Sequence, residues 1–428
     1  MSSVKTAESN IFSRRESEVR SYCRNFDVVF ARAKGSILTD VDGKEYIDFL
    51  AGCSSLNYGH NDPDLKAALI DHISHDGIAH GLDMYTAEKA AFLETFERLI
   101  LRPRNMPHKV MMVGPTGTNA VEATLKLARK VTGRRNVIAF TNGFHGMTLG
   151  ALALTGNGGK RAAAGTTLSD VTHMPYEGAF GADVDTLSQI DLLLANSSSG
   201  VDAPAAFILE LVQGEGGLNA ASADWVRGVA QLAKKYGALF IVDDIQAGIG
   251  RSGTFFSFDE IGIEPDMITL AKSLSGFGLP FATVLIRPEH DIWKPAEHNG
   301  TFRGNTHAFV TARAALEKFW SDDAFVKEIA GKATVLTEAL RSIAATIPGA
   351  RLKGRGMMQG VDVGSGDLAG RICAEAFRNG LIIETSGSDD EVVKVLAPLT
   401  TPMAEFQKGL TILRDAAANC VGKNMAAE

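Results

Sequence analysis

The sequence predicts an α/β protein, with a large domain built on a mostly parallel central sheet and a smaller α/β domain contributed by both chain ends. Between about residues 109 and 290, short apolar runs alternate with helical patterns, as in sheets that are covered by helices. Residues 1–50 contain a hairpin-like segment, whereas residues 315–428 contain amphipathic helices and short strands. We therefore predict a large domain at 56–314 and a small domain formed by 1–55 and 315–428.

The individual elements follow from local patterns. Asp42 and Gly43 join two short runs in "SILTDVDGKEYIDF" and predict a β-hairpin. The segments "AGTTLSDVTHMPYEGAFG" and "ANSSSGVDAP" are predicted to be loops, and "AFVKEIAGKATVLTEALRSI" an amphipathic helix. Toward the C-terminus, "KGRGMMQGVDV" and "VVKVLAPL" predict short strands. The runs that predict the central sheet are "KVMMVG", "NVIAF", "AAFILE", "ALFIVDD", "DMITLAK" and "FATVLIR".

Composition and charge limit the possible functions. The formal net charge is −7, so the chain lacks the basic surface that nucleic-acid binding requires. No run is long enough to span a membrane, and the N-terminus has no signal-peptide pattern. The four cysteines are scattered, and neither they nor the histidines have the spacing of metal ligands. We expect a cytoplasmic protein without a bound metal, a nucleic-acid partner or a membrane.

The stretch "VGPTGTNAVEATLKLARK" joins a predicted strand to a predicted helix. The helix is expected to start near Asn119 and to end at Gly133. The backbone N–H groups of Gly117 and Thr118, together with the positive end of the helix, would suit a phosphate. A plain strand-to-helix turn is the alternative.

Chemically useful residues also follow three other apolar runs. Phe144 and His145 lie in "TNGFHGMTLGA", where the aromatic ring would either stack on a flat heterocycle or cover the core. Asp243 and Asp244 end the run "ALFIVDD", where a buried carboxylate needs a compensating partner. Lys272 ends "DMITLAK", and a desolvated lysine has the lowered pKa that suits Schiff-base chemistry. A solvated surface lysine is the alternative.

These residues together match one ligand. A phosphate, a flat ring, an aldehyde held by a lysine and a ring nitrogen that needs a carboxylate are the features of pyridoxal 5′-phosphate. Asp243 would pair with the ring nitrogen, whereas Asp244 points the other way along the strand and would be structural. Neither a Walker loop nor a dinucleotide-binding fingerprint is present, which disfavours ATP and NAD.

The motifs "IVDDIQAGIGRSG", "DMITLAKSLSGFGLP" and "ILELVQGEGG" resemble those of the class III, or ω-, aminotransferases in order and spacing. The family implies fold type I of the pyridoxal-phosphate-dependent transferases, with the cofactor at the interface of a homodimer or higher homo-oligomer. It implies that Lys272 carries the cofactor and moves the substrate proton, while Asp243 pairs with the ring nitrogen. It also implies that Thr301 reaches the phosphate of the neighbouring subunit's cofactor. The other implied cofactor-binding residues are Gly117, Thr118, Phe144, His145, Glu210 and Gln246.

The resemblance also implies residues that bind the substrate. Lys394 stands where ornithine-type relatives have an arginine that clamps the α-carboxylate of glutamate, and a lysine cannot form the same bidentate pair. Glu215 matches the glutamate that neutralises this arginine, so Glu215 and Lys394 would form either a switch or a plain ion pair. Asp83 would bind an α-ammonium group or cap a helix. Met147 replaces a second arginine of the family.

Further motifs, among them "FLAGCSSLNYGHN", "DIWKPAEHNGTFRGN" and "GLIIETSG", resemble one branch of the family. They imply amino transfer from L-glutamate to L-aspartate 4-semialdehyde, giving 2-oxoglutarate and L-2,4-diaminobutyrate, the first step of ectoine biosynthesis. Another ω-aminotransferase, acting on ornithine, acetylornithine, 4-aminobutyrate or a polyamine, is one alternative. An aminomutase of the glutamate-semialdehyde type is another. A regulator that binds pyridoxal phosphate is disfavoured, because no DNA-binding module is visible in the sequence.

Overall fold

The structure, a computed structural model, describes residues 11–425 and confirms the α/β class. The predicted small-domain segments extend beyond this range, so their residues 1–10 and 426–428 lie outside the described part. The strands are β1 (Phe30–Lys34), β2 (Ile37–Asp40), β3 (Glu45–Asp48), β4 (Lys109–Met112), β5 (Val137–Phe140), β6 (Val171–Met174), β7 (Ala206–Leu209), β8 (Val212–Gln213), β9 (Asn219–Ala220), β10 (Leu239–Asp243), β11 (Met267–Leu270), β12 (Thr283–Ile286), β13 (Arg351–Arg355), β14 (Met358–Asp362), β15 (Leu381–Ile382), β16 (Glu384–Ser386) and β17 (Val392–Val395).

The helices lie between these strands and at both ends of the chain. They are α1 (Ile11–Arg15), α2 (Ala51–Ser54), α3 (Pro63–Ser74), α4 (Ala87–Phe96), α5 (Gly117–Thr132), α6 (Leu149–Leu154), α7 (Gly158–Ala162), α8 (Thr186–Ala195), α9 (Ala223–Lys235), α10 (Thr306–Phe319), α11 (Ala324–Ala344), α12 (Gly366–Arg378) and α13 (Met403–Met425). Short 3-10 segments are Tyr22–Arg24, Arg102–Arg104, Lys272–Ser275 and Pro288–His290, and a π turn is Glu97–Leu101. Within residues 11–425, no helix is long and apolar enough to cross a membrane.

A seven-stranded sheet in the order β4-β12-β11-β10-β7-β5-β6 forms the centre of the protein. β12 runs antiparallel to both neighbours, and the other pairs are parallel. All six predicted strands are present in this sheet. The seventh, β6, corrects the prediction of a loop in "AGTTLSDVTHMPYEGAFG"; it was missed because polar Thr172 and His173 separate Val171 from Met174.

The central sheet is buried on both faces, which explains why its strands are apolar without alternation. In β10, Leu239 and Ile241 pack into one hydrophobic cluster, whereas Phe240 and Val242 pack into the other. The amphipathic helix α5 packs against the first of these clusters through residues such as Val121. The carboxyl ends of the parallel strands therefore emerge from a rigid core.

There are two further four-stranded sheets: β1-β2-β3-β15 contains strands from both chain ends, and β13-β14-β17-β16 contains strands from the C-terminal part alone. The predicted hairpin is confirmed, since β2 and β3 are antiparallel and Gly43 takes a left-handed φ of +86° in the turn. β15 pairs in parallel with β3, with Leu381 opposite Ile47, so the N-terminal and C-terminal segments share a sheet. The domain boundaries stay predictions, and the one at 314/315 falls inside α10.

Candidate active site

The predicted site residues lie on loops at one edge of the central sheet. α5 follows β4, the Phe144 loop follows β5, and Asp243 and Lys272 lie at or just after the ends of β10 and β11. These strands are parallel, so their carboxyl ends meet at the same edge. Ligands of open α/β sheets bind in this position.

The N-terminus of α5 is suited to an anion. The helix begins at Gly117, two residues before the predicted start, and Thr116 at its N-cap makes no side-chain capping bond. A Cβ on Gly117 would lie 2.9 Å from Cδ1 of Ile245, so glycine allows the helix end to approach the loop after β10. Thr118 Oγ1 lies 2.6 Å from Thr148 Oγ1. The N–H of Asn119 is bonded to the carbonyl of Thr116, and the N–H groups of Gly117 and Thr118 are left to an external acceptor.

Asp243 is a buried carboxylate held by several donors. Its Oδ2 atom lies 2.7 Å from Nδ1 of His145. Its Oδ1 atom accepts hydrogen bonds from Thr269 Oγ1 at 2.9 Å and from the backbone N–H of Ile245 at 3.2 Å. Burial alone would lower the pKa of His145, but the Asp243 carboxylate raises it above its ordinary value.

Asp244 faces away from this set, as the strand pattern predicts. It is fully buried, and its Oδ2 accepts a hydrogen bond from the backbone N–H of Ser257 at 3.0 Å. Burial raises the pKa of Asp244 to about 7. The Asp244 side chain therefore anchors a neighbouring loop, and among the described residues it shares no hydrogen-bonding partner with the Asp243 side chain.

Lys272 lies opposite an unusual backbone turn. Its Nζ donates a hydrogen bond to the carbonyl oxygen of Cys53 at 2.9 Å. Cys53 belongs to α2, a single turn in which Ala51, Gly52, Cys53 and Ser54 have left-handed φ angles between 47° and 68°. The turn thus presents a neutral acceptor to the ammonium group. Burial lowers the pKa of Lys272, as predicted from its position after a buried strand.

Phe144 forms part of the wall of a cavity of about 320 Å³, which is also lined by β16 and the loop that follows it. The backbone N–H of Phe144 donates to Glu210 Oε2 at 2.8 Å, and the N–H of Gly214 donates to Glu210 Oε1 at 3.1 Å. Burial raises the pKa of Glu210 to about 7. Glu210 therefore holds together the two loops that carry Phe144 and Glu215.

Glu215, Lys394 and Glu384 form a charge cluster beside this cavity. Nζ of the fully buried Lys394 lies 3.0 Å from Glu215 Oε1 and 2.9 Å from Glu384 Oε1. Burial alone would lower the pKa of Lys394, but the two carboxylates raise it well above its ordinary value. Burial alone would raise the pKa of Glu215, but Lys394, followed by Lys272, lowers it to about 2.

Gln246 connects this cluster to the turn opposite Lys272. Its Nε2 lies 3.3 Å from the carbonyl oxygen of Cys53 and 3.4 Å from Glu215 Oε1. The predicted residues Lys272, Gln246, Glu215 and Lys394 are therefore joined through a continuous set of contacts.

Two predicted residues, Asp83 and Thr301, are exposed and lie apart from this set in the described chain. The N-cap of α4 is Thr86, whose side chain makes the capping bond, so the helix-cap alternative for Asp83 is wrong. The segments that carry Asp83 and Thr301 touch each other, because the N–H of Gly81 donates to the carbonyl of Gly304 at 2.9 Å.

Sequence reasoning did not identify four residues that the structure adds to the site. They are Tyr22, Lys160, Glu384 and Ser386. Tyr22 Oη lies 3.0 Å from Cys53 Sγ, and Lys160 and Ser386 line the cavity. For Glu384 a signal was present: it is an acid that directly follows the apolar run "LII", as Asp243 follows "LFIV".

These residues fit pyridoxal phosphate on several observations of the structure. The uncapped end of α5 suits the phosphate, and the cavity exposes the aromatic ring of Phe144. Asp243 offers a buried carboxylate 2.7 Å from His145, and a carboxylate is the partner that a protonated ring nitrogen requires. Lys272 has a lowered pKa and contacts a carbonyl, so its amine is available for reaction with an aldehyde.

Comparisons with known proteins agree with this geometry. The family model for aminotransferase class-III matches residues 20–417. A diaminobutyrate–2-oxoglutarate transaminase of Halomonas elongata is 54% identical over 411 residues, covering 95% of this chain and 98% of the relative. The protein of the same name from Vibrio cholerae is 54% identical over 406 residues, covering 94% of this chain and 98% of the relative.

Solved structures of similar shape include the ornithine aminotransferase of Toxoplasma gondii, with a TM-score of 0.83 and 25% identity, over 96% of this chain and 93% of the other. An S-selective transaminase from Bacillus megaterium has a TM-score of 0.84 at 22% identity, over 95% of this chain and 97% of the other. The second comparison concerns the fold alone.

Proposed function

This chain belongs to the class-III aminotransferase family, and from that premise we propose how its residues carry out its reaction. It is a pyridoxal-phosphate-dependent enzyme of fold type I. Like its relatives, it transfers an amino group between diaminobutyrate and 2-oxoglutarate. Removal of the terminal amine of L-2,4-diaminobutyrate leaves L-aspartate 4-semialdehyde, and the reverse direction, with L-glutamate as donor, is the first step of ectoine biosynthesis. The observation that carries the chemistry is the placement of Asp243 at the end of β10 and of Lys272 just after the end of the adjacent parallel strand β11.

When bound, pyridoxal phosphate supplies an aldehyde that carries the amino group and a ring that accepts the electron pair of the deprotonated carbon. Lys272 Nζ binds the cofactor between turnovers, which its lowered pKa favours. During turnover the same amine moves the proton at the reacting carbon as a positioned general base. The carbonyl of Cys53, 2.9 Å from Nζ, orients the amine without neutralising a charge.

Asp243 and His145 maintain the charge of the ring nitrogen. Asp243 would hold a proton on that nitrogen, and His145, at 2.7 Å, positions the Asp243 carboxylate. The N–H groups of Gly117 and Thr118 bind the phosphate, and Phe144 contacts the ring face. Glu210 acts through the Phe144 loop, because its carboxylate accepts the N–H of Phe144. Gln246 approaches the ring hydroxyl.

Glu215 is the movable member of the charge cluster. Its side chain is 23% exposed, compared with 0% for Lys394 and 8% for Glu384. When glutamate binds, Glu215 turns away and Lys394 receives the substrate carboxylate; Glu384 keeps Lys394 in place. When the diamine binds, Glu215 remains on Lys394. The cluster therefore admits two substrates that differ in charge next to the reacting carbon.

We also propose a homodimer or higher homo-oligomer in the cytoplasm. Exposed apolar side chains support this assembly, since a soluble monomer seldom clusters them on touching segments. Leu82, Met84 and Tyr85 are exposed on one segment and Phe302 on the other. Thr301 lies beside Phe302 and would reach the partner's phosphate, and Asp83 would likewise serve the neighbouring site. The scattered cysteines of the sequence support the location.

The function is tested by the absorbance of the purified holoenzyme. L-2,4-Diaminobutyrate is expected to bleach the band of the lysine-bound cofactor, and 2-oxoglutarate is expected to restore it, with formation of glutamate. Lys272→Ala should lack the original band and should not turn over. A band that responds to glutamate but not to diaminobutyrate would contradict the assignment of diaminobutyrate as a substrate. A band that changes with neither glutamate nor diaminobutyrate would contradict the proposed transamination.

A further inference from the structure

The cavity next to Phe144 contains a lysine that no predicted role uses. Lys160 lies on α7, and its ammonium group lies 4.5 Å from the centroid of the Phe144 ring. Its backbone is fixed, because the N–H of Lys160 donates to Oδ1 of the N-cap Asn157 at 2.9 Å. Asn157 and Lys160 both line the cavity. A cation is thus presented beside the aromatic side chain that is expected to contact the cofactor.

The ammonium group of Lys160 is available to a ligand. Within residues 11–425 its Nζ forms no ion pair and no hydrogen bond, and its close contact is the face of Phe144. A ring face is a weaker partner for an ammonium than a carboxylate with which it can form a charge-assisted hydrogen bond. The same ammonium contributes to lowering the pKa of Glu215, which indicates that its field reaches the reaction site.

A second group in the same wall lacks a partner. Ser386 is 3% exposed and lines the cavity, and its buried Oγ has no hydrogen-bond partner in the described chain. A buried hydroxyl without a partner costs free energy, so a ligand that satisfied it would bind more tightly. Lys160 and Ser386 thus bring a cation and a hydroxyl to the lining of one cavity.

The two amino donors have a common feature that fits these groups. In diaminobutyrate the carboxylate lies three carbon–carbon bonds from the carbon that carries the reacting amine. In glutamate the distal carboxylate lies at the same separation from its own reacting carbon. A single cation at a fixed distance from the cofactor can therefore serve both halves of the reaction. Met147, at the place of a family arginine, is exposed and uncharged.

We propose that Lys160 binds this shared carboxylate and that the hydroxyl of Ser386 hydrogen-bonds the same head group. The proposal rests on the proposed function, because it takes its substrates from it. It makes Lys160 a specificity residue: the enzyme prefers diaminobutyrate to 1,3-diaminopropane, which is the same diamine without its carboxylate.

The test is a titration of the holoenzyme with each diamine, in which bleaching of the cofactor band is the measured signal. Lys160→Gln is expected to weaken the binding of diaminobutyrate roughly 10- to 100-fold, because one charge-assisted hydrogen bond is lost. The KM for 2-oxoglutarate should rise by a similar factor. Binding of 1,3-diaminopropane should stay within about twofold, and kcat at saturating diaminobutyrate should be largely retained. Lys160→Arg should retain most of the affinity for diaminobutyrate, and Ser386→Ala should weaken the binding of diaminobutyrate several-fold.

Lys234→Gln, which removes an exposed lysine of α9, is the matched control and should behave as the wild type. If Lys160→Gln weakened the binding of both diamines equally, or of neither, the proposed role of Lys160 would be wrong. Failure of the wild type to react with diaminobutyrate would instead overturn the proposed function. The two failures are distinguishable because the second appears before any variant is made.

Discussion

Two adjacent acids at the end of β10 have different environments and therefore different roles. Asp243 is surrounded by donors, including His145 Nδ1 at 2.7 Å. Asp244 is equally buried, but among the described residues its Oδ1 has no hydrogen-bond partner and its Oδ2 is bound to the N–H of Ser257. The first carboxylate is held among donors where we propose that it pairs with the cofactor. Burial raises the pKa of the second to about 7.

The raised pKa of Asp244 predicts a pH-dependent stability. An unfolded aspartate titrates near pH 4, so between about pH 4 and pH 7 the folded chain holds one proton more than the unfolded chain. The contribution of Asp244 to stability is therefore lost as the pH rises through this window, by roughly 4 kcal/mol at most. Asp244→Asn removes this titrating group. The melting temperature of the variant minus that of the wild type should therefore increase as the pH is raised from 5 to 8.

The matched control for this prediction is Asp183→Asn, which neutralises an exposed carboxyl group. Its melting temperature relative to the wild type should show no comparable rise. If the difference in melting temperature between Asp244→Asn and the wild type were constant across the same pH range, the raised pKa of Asp244 would be contradicted.

At the scale of elements, the left-handed turn α2 places the acceptor for Lys272. Non-glycine residues in this conformation cost free energy, and Ser54, with φ +68°, also has a buried Oγ without a partner in the described chain. Its carbonyl is held by Ser273 Oγ at 2.6 Å, which maintains the turn. The strain is located beside the reacting lysine, where a fixed acceptor is useful.

Ser54→Gly should raise the free energy of unfolding by about 1 kcal/mol, since glycine relieves the left-handed strain and removes the unsatisfied hydroxyl, at some entropic cost. Urea denaturation measures the change. Ser55→Gly is the matched control, because Ser55 has an ordinary φ of −84° and should gain nothing. If Ser54→Gly were no more stable than Ser55→Gly, the turn would not be strained.

The sequence was most informative where a long apolar run ends in a polar residue. This signal predicted six strands of the central sheet, as well as Asp243 and Lys272. It was weaker for Glu384, whose run "LII" is short, and for β6, where polar residues interrupt the pattern. Lys160 follows Gly158 and Gly159 with no apolar periodicity, so its position in the cavity depends on tertiary packing. The turn α2 was not predictable either, because glycine occupies only one of its four positions.

At the scale of the whole molecule, the apolar surface formed by Leu82, Met84, Tyr85 and Phe302 lies on two segments that fold against each other. Rings of His80 and Phe302 are 5.2 Å apart, and a Cβ on Gly304 would lie only 1.9 Å from the carbonyl oxygen of Leu82. Such close packing fixes the surface before any partner binds. Pre-organised apolar surfaces lose little entropy on association.

Phe302→Asp is therefore expected to convert the proposed homo-oligomer to monomers, because a carboxylate buried at an apolar interface is strongly unfavourable. Analytical ultracentrifugation measures the assembly, and the holoenzyme should lose cofactor affinity as well, since Thr301 would no longer reach the partner's phosphate. Phe180→Asp is the matched control: Phe180 is 62% exposed and Phe302 is 64% exposed, but Phe180 lies on a different segment. Assembly that survived Phe302→Asp, or that both substitutions disrupted equally, would place the interface elsewhere. Loss of assembly in Phe302→Asp alone would connect the surface, the position of Thr301 and the integrity of the cofactor site.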